Sequence, residues 1–67
     1  MNRELLRSVM ALHGETNKDL ANLLSITEQS VSSKINENGS EFKQGEIAKI
    51  ITHYELSADQ VAKIFFT

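Results

Sequence analysis

The chain has 67 residues, no cysteine and no proline. That length sets one small domain whose folding buries only about 60% of the surface of the unfolded chain. Without cysteine there is no disulfide framework and no thiolate metal site. Hydrophobic residues make up 40% and charged residues 24%, values of a folded globular domain rather than a disordered one. Seven Lys and Arg stand against nine Asp and Glu, a net charge of −2. No apolar run approaches the ~20 residues needed to span a bilayer. The N-terminal residues lead into an amphipathic segment rather than a signal-peptide core, so a cytoplasmic location is expected.

The first predicted helix covers Arg3–His13, with Asn2 as its N-cap. Leu5, Leu6, Val9, Met10 and His13 form a one-sided stripe along it. Gly14 suits the left-handed residue that closes a helix. The second helix starts at Thr16, whose spacing to Asp19 resembles a capping box, and carries Leu20, Ala21, Leu23 and Leu24. A short break falls at Ser25-Ile26. Thr27 then caps a third helix, with Glu28 in the first turn where the helix dipole favours it. Asn36 to Ser40 is the clearest loop. The fourth helix spans Gln44–Tyr54, where Ile47, Ile50, Ile51 and Tyr54 follow the i, i+3, i+4, i+7 pattern. Ser57 and Gln60 make a capping box that opens a fifth helix, Ala58–Phe66, bearing Val61, Ile64 and Phe65. No segment alternates with period two long enough to argue for a strand. Five short helices with brief connections define an all-α domain spanning residues 1–67.

The informative stretch is Asn17 to Asn36. Two helices meet across a turn of about three residues, and a steep crossing requires a small residue at their contact, which Ala21 supplies. Leu20, Ala21, Ile26, Val31 and Ile35 are the expected core of this unit. The outward face of the third helix is then Glu28, Gln29, Ser32, Ser33 and Asn36. A solvated helix face usually carries long Lys and Glu. A row of short polar side chains suits close approach to base edges, where Gln pairs bidentately with adenine.

Lys18-Asp19-Leu20-Ala21, Ile26 to Ser32, the Asn36-Glu37-Asn38-Gly39 exit, the segment from Phe42 to Ile47 and the Leu56 to Asp59 cap together resemble the lambda-repressor-like (Xre/Cro-type) helix-turn-helix family of phage and bacterial regulators. The resemblance covers nearly the whole chain and implies a compact five-helix DNA-binding domain. It implies that a recognition helix of about Thr27–Asn36 lies in the major groove. Thr27, Glu28, Gln29, Ser32, Ser33 and Asn36 would face bases. Asn17 and Lys18 at the start of the first motif helix, with Asn38 and Lys43 in and after the exit loop, would contact phosphates. Two positions depart from the family pattern. Ser25 stands where glycine is usual, at a cost on the order of 1 kcal/mol if the residue is left-handed. Lys34 stands where an apolar residue is frequent, with Ile35 as the anchor instead, and Lys34 is therefore assigned to a phosphate.

Net acidity weakens the general attraction to DNA, but the potential of one face decides binding, and backbone N–H groups at helix N-termini also hold phosphates. His13 and His53 lack metal-ligand spacing, so no metal is expected. No nucleophile elbow or phosphate loop is present, and no enzymatic activity, cofactor or small-molecule effector is expected. Phe65 fits the core stripe of the fifth helix and Phe66 lies beside it. Ile64, Phe65 and Phe66 are therefore expected to form a two-fold homodimer contact, the competing reading being an end-cap on the monomer core. A second functional reading is a protein-interaction or antitoxin-like helical module, with the acidity matched to a protein partner.

Overall fold

A computed structural model of the chain describes residues 1–66. It holds five α-helices among the described residues: α1 Arg3–Leu12, α2 Asn17–Leu24, α3 Glu28–Ile35, α4 Gln44–Tyr54 and α5 Ala58–Phe65. None is long and apolar enough to cross a membrane. The expected all-α architecture is therefore observed, with α1 and α5 each one residue shorter than the sequence pattern suggests.

Local chemistry explains the boundaries. The Asn2 side chain accepts the N–H of Leu5 at 3.1 Å and starts α1. Asp19 reaches back to the N–H of Thr16 at 2.9 Å, and Gln60 to that of Ser57 at 3.0 Å. The first four helices all end on a residue in the left-handed region: Gly14, Ser25, Glu37 and Glu55. In each case the next N–H closes onto a carbonyl five residues back: Glu15 to Met10, Ile26 to Ala21, Asn38 to Ser33 and Leu56 to Ile51, at 2.9–3.0 Å. This is the bonding that satisfies orphan carbonyls at a helix C-terminus. Three of the connections are three or four residues long, and the one from α3 to α4, residues 36–43, is eight. Only Gly14 makes the left-handed turn without a Cβ penalty.

The core is one cluster. Leu6, Leu20, Val31, Ile35, Ile50 and Ile64 are fully buried, with Val9, Met10, Ala21, Leu24, Phe42 and Tyr54 around them. Every helix contributes, so no helix is independently stable; eight-residue segments are marginal alone in water. The most extensive packing is α2 on α3, with α5 returning against α1. The N–H of Asn2 also donates to the Ile64 carbonyl at 2.7 Å, which ties the start of the chain to α5. Ala21 is buried in the core on α2, and Ile26 packs on the core from the turn.

Two expectations are corrected here. Ile64, assigned to a dimer contact, is fully buried, because the α5 face that meets α1 runs through it. His13, placed on the buried stripe of α1, is the exposed C-cap residue, since the helix ends one residue before it. Its ring instead lies against Tyr54, centroids 5.1 Å apart. The two histidines, unrelated in sequence, meet at one corner. His53 Nε2 lies 2.9 and 3.0 Å from the two Glu15 oxygens, and the Tyr54 hydroxyl donates to Glu15 at 2.9 Å. The bonds from His53 and then Tyr54 hold the Glu15 carboxyl below the usual carboxylate range. Burial, and then the bond to Glu15, pushes the Tyr54 hydroxyl up. This corner fixes the α1–α2 turn against α4, and so sets where α2 starts.

Ser25 is exposed at φ +58, and Glu55 is exposed at φ +51. Replacing either by glycine removes a left-handed penalty larger than the entropy glycine adds to the unfolded chain. Ser25→Gly and Glu55→Gly are each expected to stabilise by about 0.5–1 kcal/mol, raising the thermal midpoint by roughly 3–6 °C for a domain of this size. Calorimetric or circular-dichroism melting checks this; an unchanged or lower midpoint contradicts it.

Candidate nucleic-acid interface

The third helix is short, and only Val31 and Ile35 are apolar in it. Both are fully buried, one turn apart, and so they fix which side of α3 faces inward. Away from that side lie Gln29 and Asn36, both exposed, and Ser32 and Ser33, both half-buried. Glu28, expected on the outward face, is three residues before Val31 and so on the Val31–Ile35 side, exposed because it stands in the first turn.

Thr27 is the N-cap of α3. Its hydroxyl accepts the Ser30 N–H at 3.1 Å and donates to the Ser30 hydroxyl at 2.9 Å. Thr27 is exposed, but its own proton is already engaged, which leaves its methyl and a lone pair for any outside contact. Glu28 lies in the first turn, where the dipole stabilises its carboxylate. Gln29 is the outward residue with the longest uncharged reach. Asn36 caps the C-terminus of α3, and its amide nitrogen points to the Ser32 hydroxyl at 3.4 Å.

Lys34 is a correction. It was assigned to a phosphate, yet it is buried, at 8% exposure, and its ammonium lies 2.7 and 2.9 Å from the two oxygens of Glu46. The reason is geometric. Lys34 stands between Val31 and Ile35 on the inward side of α3, so its stem runs over the core and its head meets the first turn of α4. Glu46 also accepts the Lys43 N–H at 2.9 Å and so caps α4 with the same carboxylate. Burial alone would raise the Glu46 carboxyl, but the bonds from Lys34 and the Lys43 backbone outweigh it and hold the group below its ordinary value. The ion pair therefore sets the distance and orientation of α3 against α4.

The remaining assigned residues divide by position. Asn17 opens α2 and is half-buried, and Lys18 beside it is exposed. Asn38 and Lys43 are exposed, the first in the α3–α4 loop and the second as N-cap of α4. Phe65 is half-buried against the core and Phe66 is 73% exposed at the end of α5. Leu12, at 86% exposure, is a second apolar residue left on the surface.

Sequence reasoning missed Arg7. Its guanidinium reaches from α1 to the C-terminus of α3 and donates to the Asn36 side-chain oxygen at 3.2 Å. No local pattern announces this contact between residues 29 positions apart. The one available signal is Arg3 and Arg7 at i, i+4, an exposed basic pair on the helix that carries the fewest other charges.

With this geometry in view, the chain can be placed among known proteins. The family described as "Protein of unknown function (DUF739)" matches residues 3–67, and the chain belongs to it. No curated protein and no solved structure matches.

The Lys34–Glu46 pair gives a testable consequence. Lys34→Met leaves a carboxylate largely buried without its counter-ion and is expected to destabilise by roughly 2–3 kcal/mol. Adding Glu46→Gln, which still accepts the Lys43 N–H, is expected to restore most of that loss. The pH sign follows from the lowered Glu46 carboxyl: its contribution is complete above the unfolded carboxylate pKa of about 4.3 and is lost as pH falls through the lower folded value. Denaturant melts of the single and double variants, taken at neutral and acidic pH, check both points. A double variant no more stable than Lys34→Met contradicts the pairing argument.

Proposed function

We propose that the chain is a sequence-specific double-stranded DNA-binding regulator of the lambda-repressor-like (Xre/Cro) kind, with α2 and α3 acting as its helix-turn-helix and α3 entering the major groove. The observation that carries this reading is the outer face of α3. It is a row of short polar side chains, Gln29, Ser32, Ser33 and Asn36, on a helix whose inner side is pinned by Val31, Ile35 and the Lys34–Glu46 pair. Base readout needs this combination: hydrogen-bonding groups that come close to the bases, on an element that does not shift.

The contacts then sort by chemistry. Gln29 and Asn36 read bases, with Ser32 and Ser33 adding shorter contacts and Thr27 and Glu28 at the entrance of the groove. The backbone at the start of α2, with Asn17 and Lys18, holds one phosphate run; Asn38 and Lys43 hold another. The net charge of −2 implies weak non-specific affinity. Phe66 and the exposed part of Phe65 supply a two-fold contact between copies, so that the protein occludes a promoter as a cytoplasmic dimer of the phage or mobile-element repressor type. The competing reading, a protein-interaction or antitoxin-like module, draws on the same acidity together with exposed Leu12 and Phe66.

Selection of bound duplexes from a random library, with Gln29→Ala beside the wild type, separates these readings. The expected result is an enriched palindrome whose half-site centres lie about one helical turn apart, ~34 Å. Gln29→Ala is expected to relax preference at one position per half-site and to cost about 1–3 kcal/mol there. A single half-site would remove the dimer. No enrichment even at low salt would remove the DNA reading and favour a protein partner.

A further inference from the structure

We propose that Arg7 of α1 is a second determinant of DNA specificity: it holds a backbone phosphate beside the groove and fixes the Asn36 amide in the orientation that reads adenine. The proposal rests on the reading of α3 as the recognition helix. The geometry is a relay along the end of that helix. Arg7 Nη2 donates to Asn36 Oδ1 at 3.2 Å, and Asn36 Nδ2 lies 3.4 Å from Ser32 Oγ.

A free carboxamide can turn over and exchange its donor and acceptor. Here the cation selects the oxygen end, because a guanidinium only donates, and the nitrogen end is left toward the serine hydroxyl. Each end keeps one unused site, a lone pair on Oδ1 and an N–H on Nδ2. That pair of sites is the complement of the adenine major-groove edge, N6–H₂ and N7. An amide already set for this edge loses less freedom on binding than one that must first be oriented.

The charge of Arg7 points the same way. Its bond is to a neutral amide, and it makes no ion pair among the described residues. Arg3, one turn earlier, makes none either, so two like charges sit at i, i+4, an arrangement that is mildly unfavourable by itself. Glu4, three residues before Arg7 on α1, is exposed and closes no ion pair among the described residues, so it lowers the local positive charge without occupying either guanidinium. Glu37, next to Asn36, has its Oε1 3.0 Å from the Met1 amino group. Only one N–H of the Arg7 fork is used on Asn36. The rest of the planar fork matches a phosphate, which accepts two parallel bonds.

The test compares wild type, Arg7→Ala, Arg7→Lys, Asn36→Ala and the Arg7→Ala/Asn36→Ala double variant, each first shown to keep the wild-type thermal midpoint. Duplex selection and salt-dependent binding to the selected duplex are the readouts. Arg7→Ala is expected to lower the magnitude of the log–log salt slope by about 0.9, the loss of one phosphate contact, and Arg7→Lys to keep it. Arg7→Ala is also expected to flatten preference at the same adenine that Asn36→Ala flattens, and the double variant to flatten it no further. A lowered slope with that preference intact would make Arg7 a plain phosphate contact and overturn the specificity assignment. An unchanged slope and preference, in a protein whose wild type still selects a site through Gln29, would overturn the whole proposal while leaving the α3 reading in place. A wild type that selects no duplex would remove both together.

Discussion

The ammonium of Lys34, closed on the Glu46 carboxylate beneath α3, is the interaction on which the rest of the arrangement turns. An eight-residue helix with two apolar side chains has little with which to hold itself to a core. Val31 and Ile35 fix which side faces in and seat the helix on α2, but a helix held along one neighbour can still rock towards or away from α4. A short ionic bond to the first turn of α4 removes that freedom. Both charges lie largely out of water, so the pair is favourable only when its geometry is satisfied. Here Glu46 is met by Lys34 on both oxygens and by the Lys43 N–H on one. A displaced α3 would leave two desolvated charges apart. The outer face of α3, where the proposed readout lies, inherits its position from this bond.

Around the pair the remaining devices are local. Left-handed residues end four helices, three of the four connections are three or four residues long, and side-chain caps start the next helices. The Glu15, His53 and Tyr54 corner fastens the α1–α2 turn to α4. A chain without cysteine thus holds five short helices by closing each helix end on a left-handed or capped residue and burying one residue or more of every helix in a common core.

What was legible in the sequence was what depends on neighbours within about four residues. Caps at Asn2, Thr27 and Ser57, the left-handed turn at Gly14, and the periodicity of α4 located the helices to within a residue. Val31 and Ile35 told which face of α3 was outward. What could not be read depends on partners brought together by folding. Lys34 looks like a surface residue by type, and only the approach of α4 supplies the carboxylate that lets it be buried. His13 and His53 look isolated until Tyr54 lies between them. Ile64 and Phe65 are equally apolar neighbours; the return of α5 against α1 decides that the first is core and the second only partly so. Arg7 and Asn36 meet because α1 passes the end of α3, and no spacing rule records that. The acidity of the chain reads differently for the same reason. One of its seven basic residues is spent inside on Glu46 and another lies beside Asp59 on α5, so the charge available to any anionic partner is carried by a few side chains in particular places.

The central claim, that the outer face of α3 is the surface that meets DNA, is tested most directly by titrating isotope-labelled protein with a short duplex and following backbone and side-chain amide shifts. The account predicts changes concentrated at Gln29, Ser32, Ser33 and the Asn36 side-chain amide, with smaller ones at Lys18, Lys43 and Arg7 and little at His53 or α5. Shifts confined to Leu12 and the Phe66 end, or none at low salt, would contradict it.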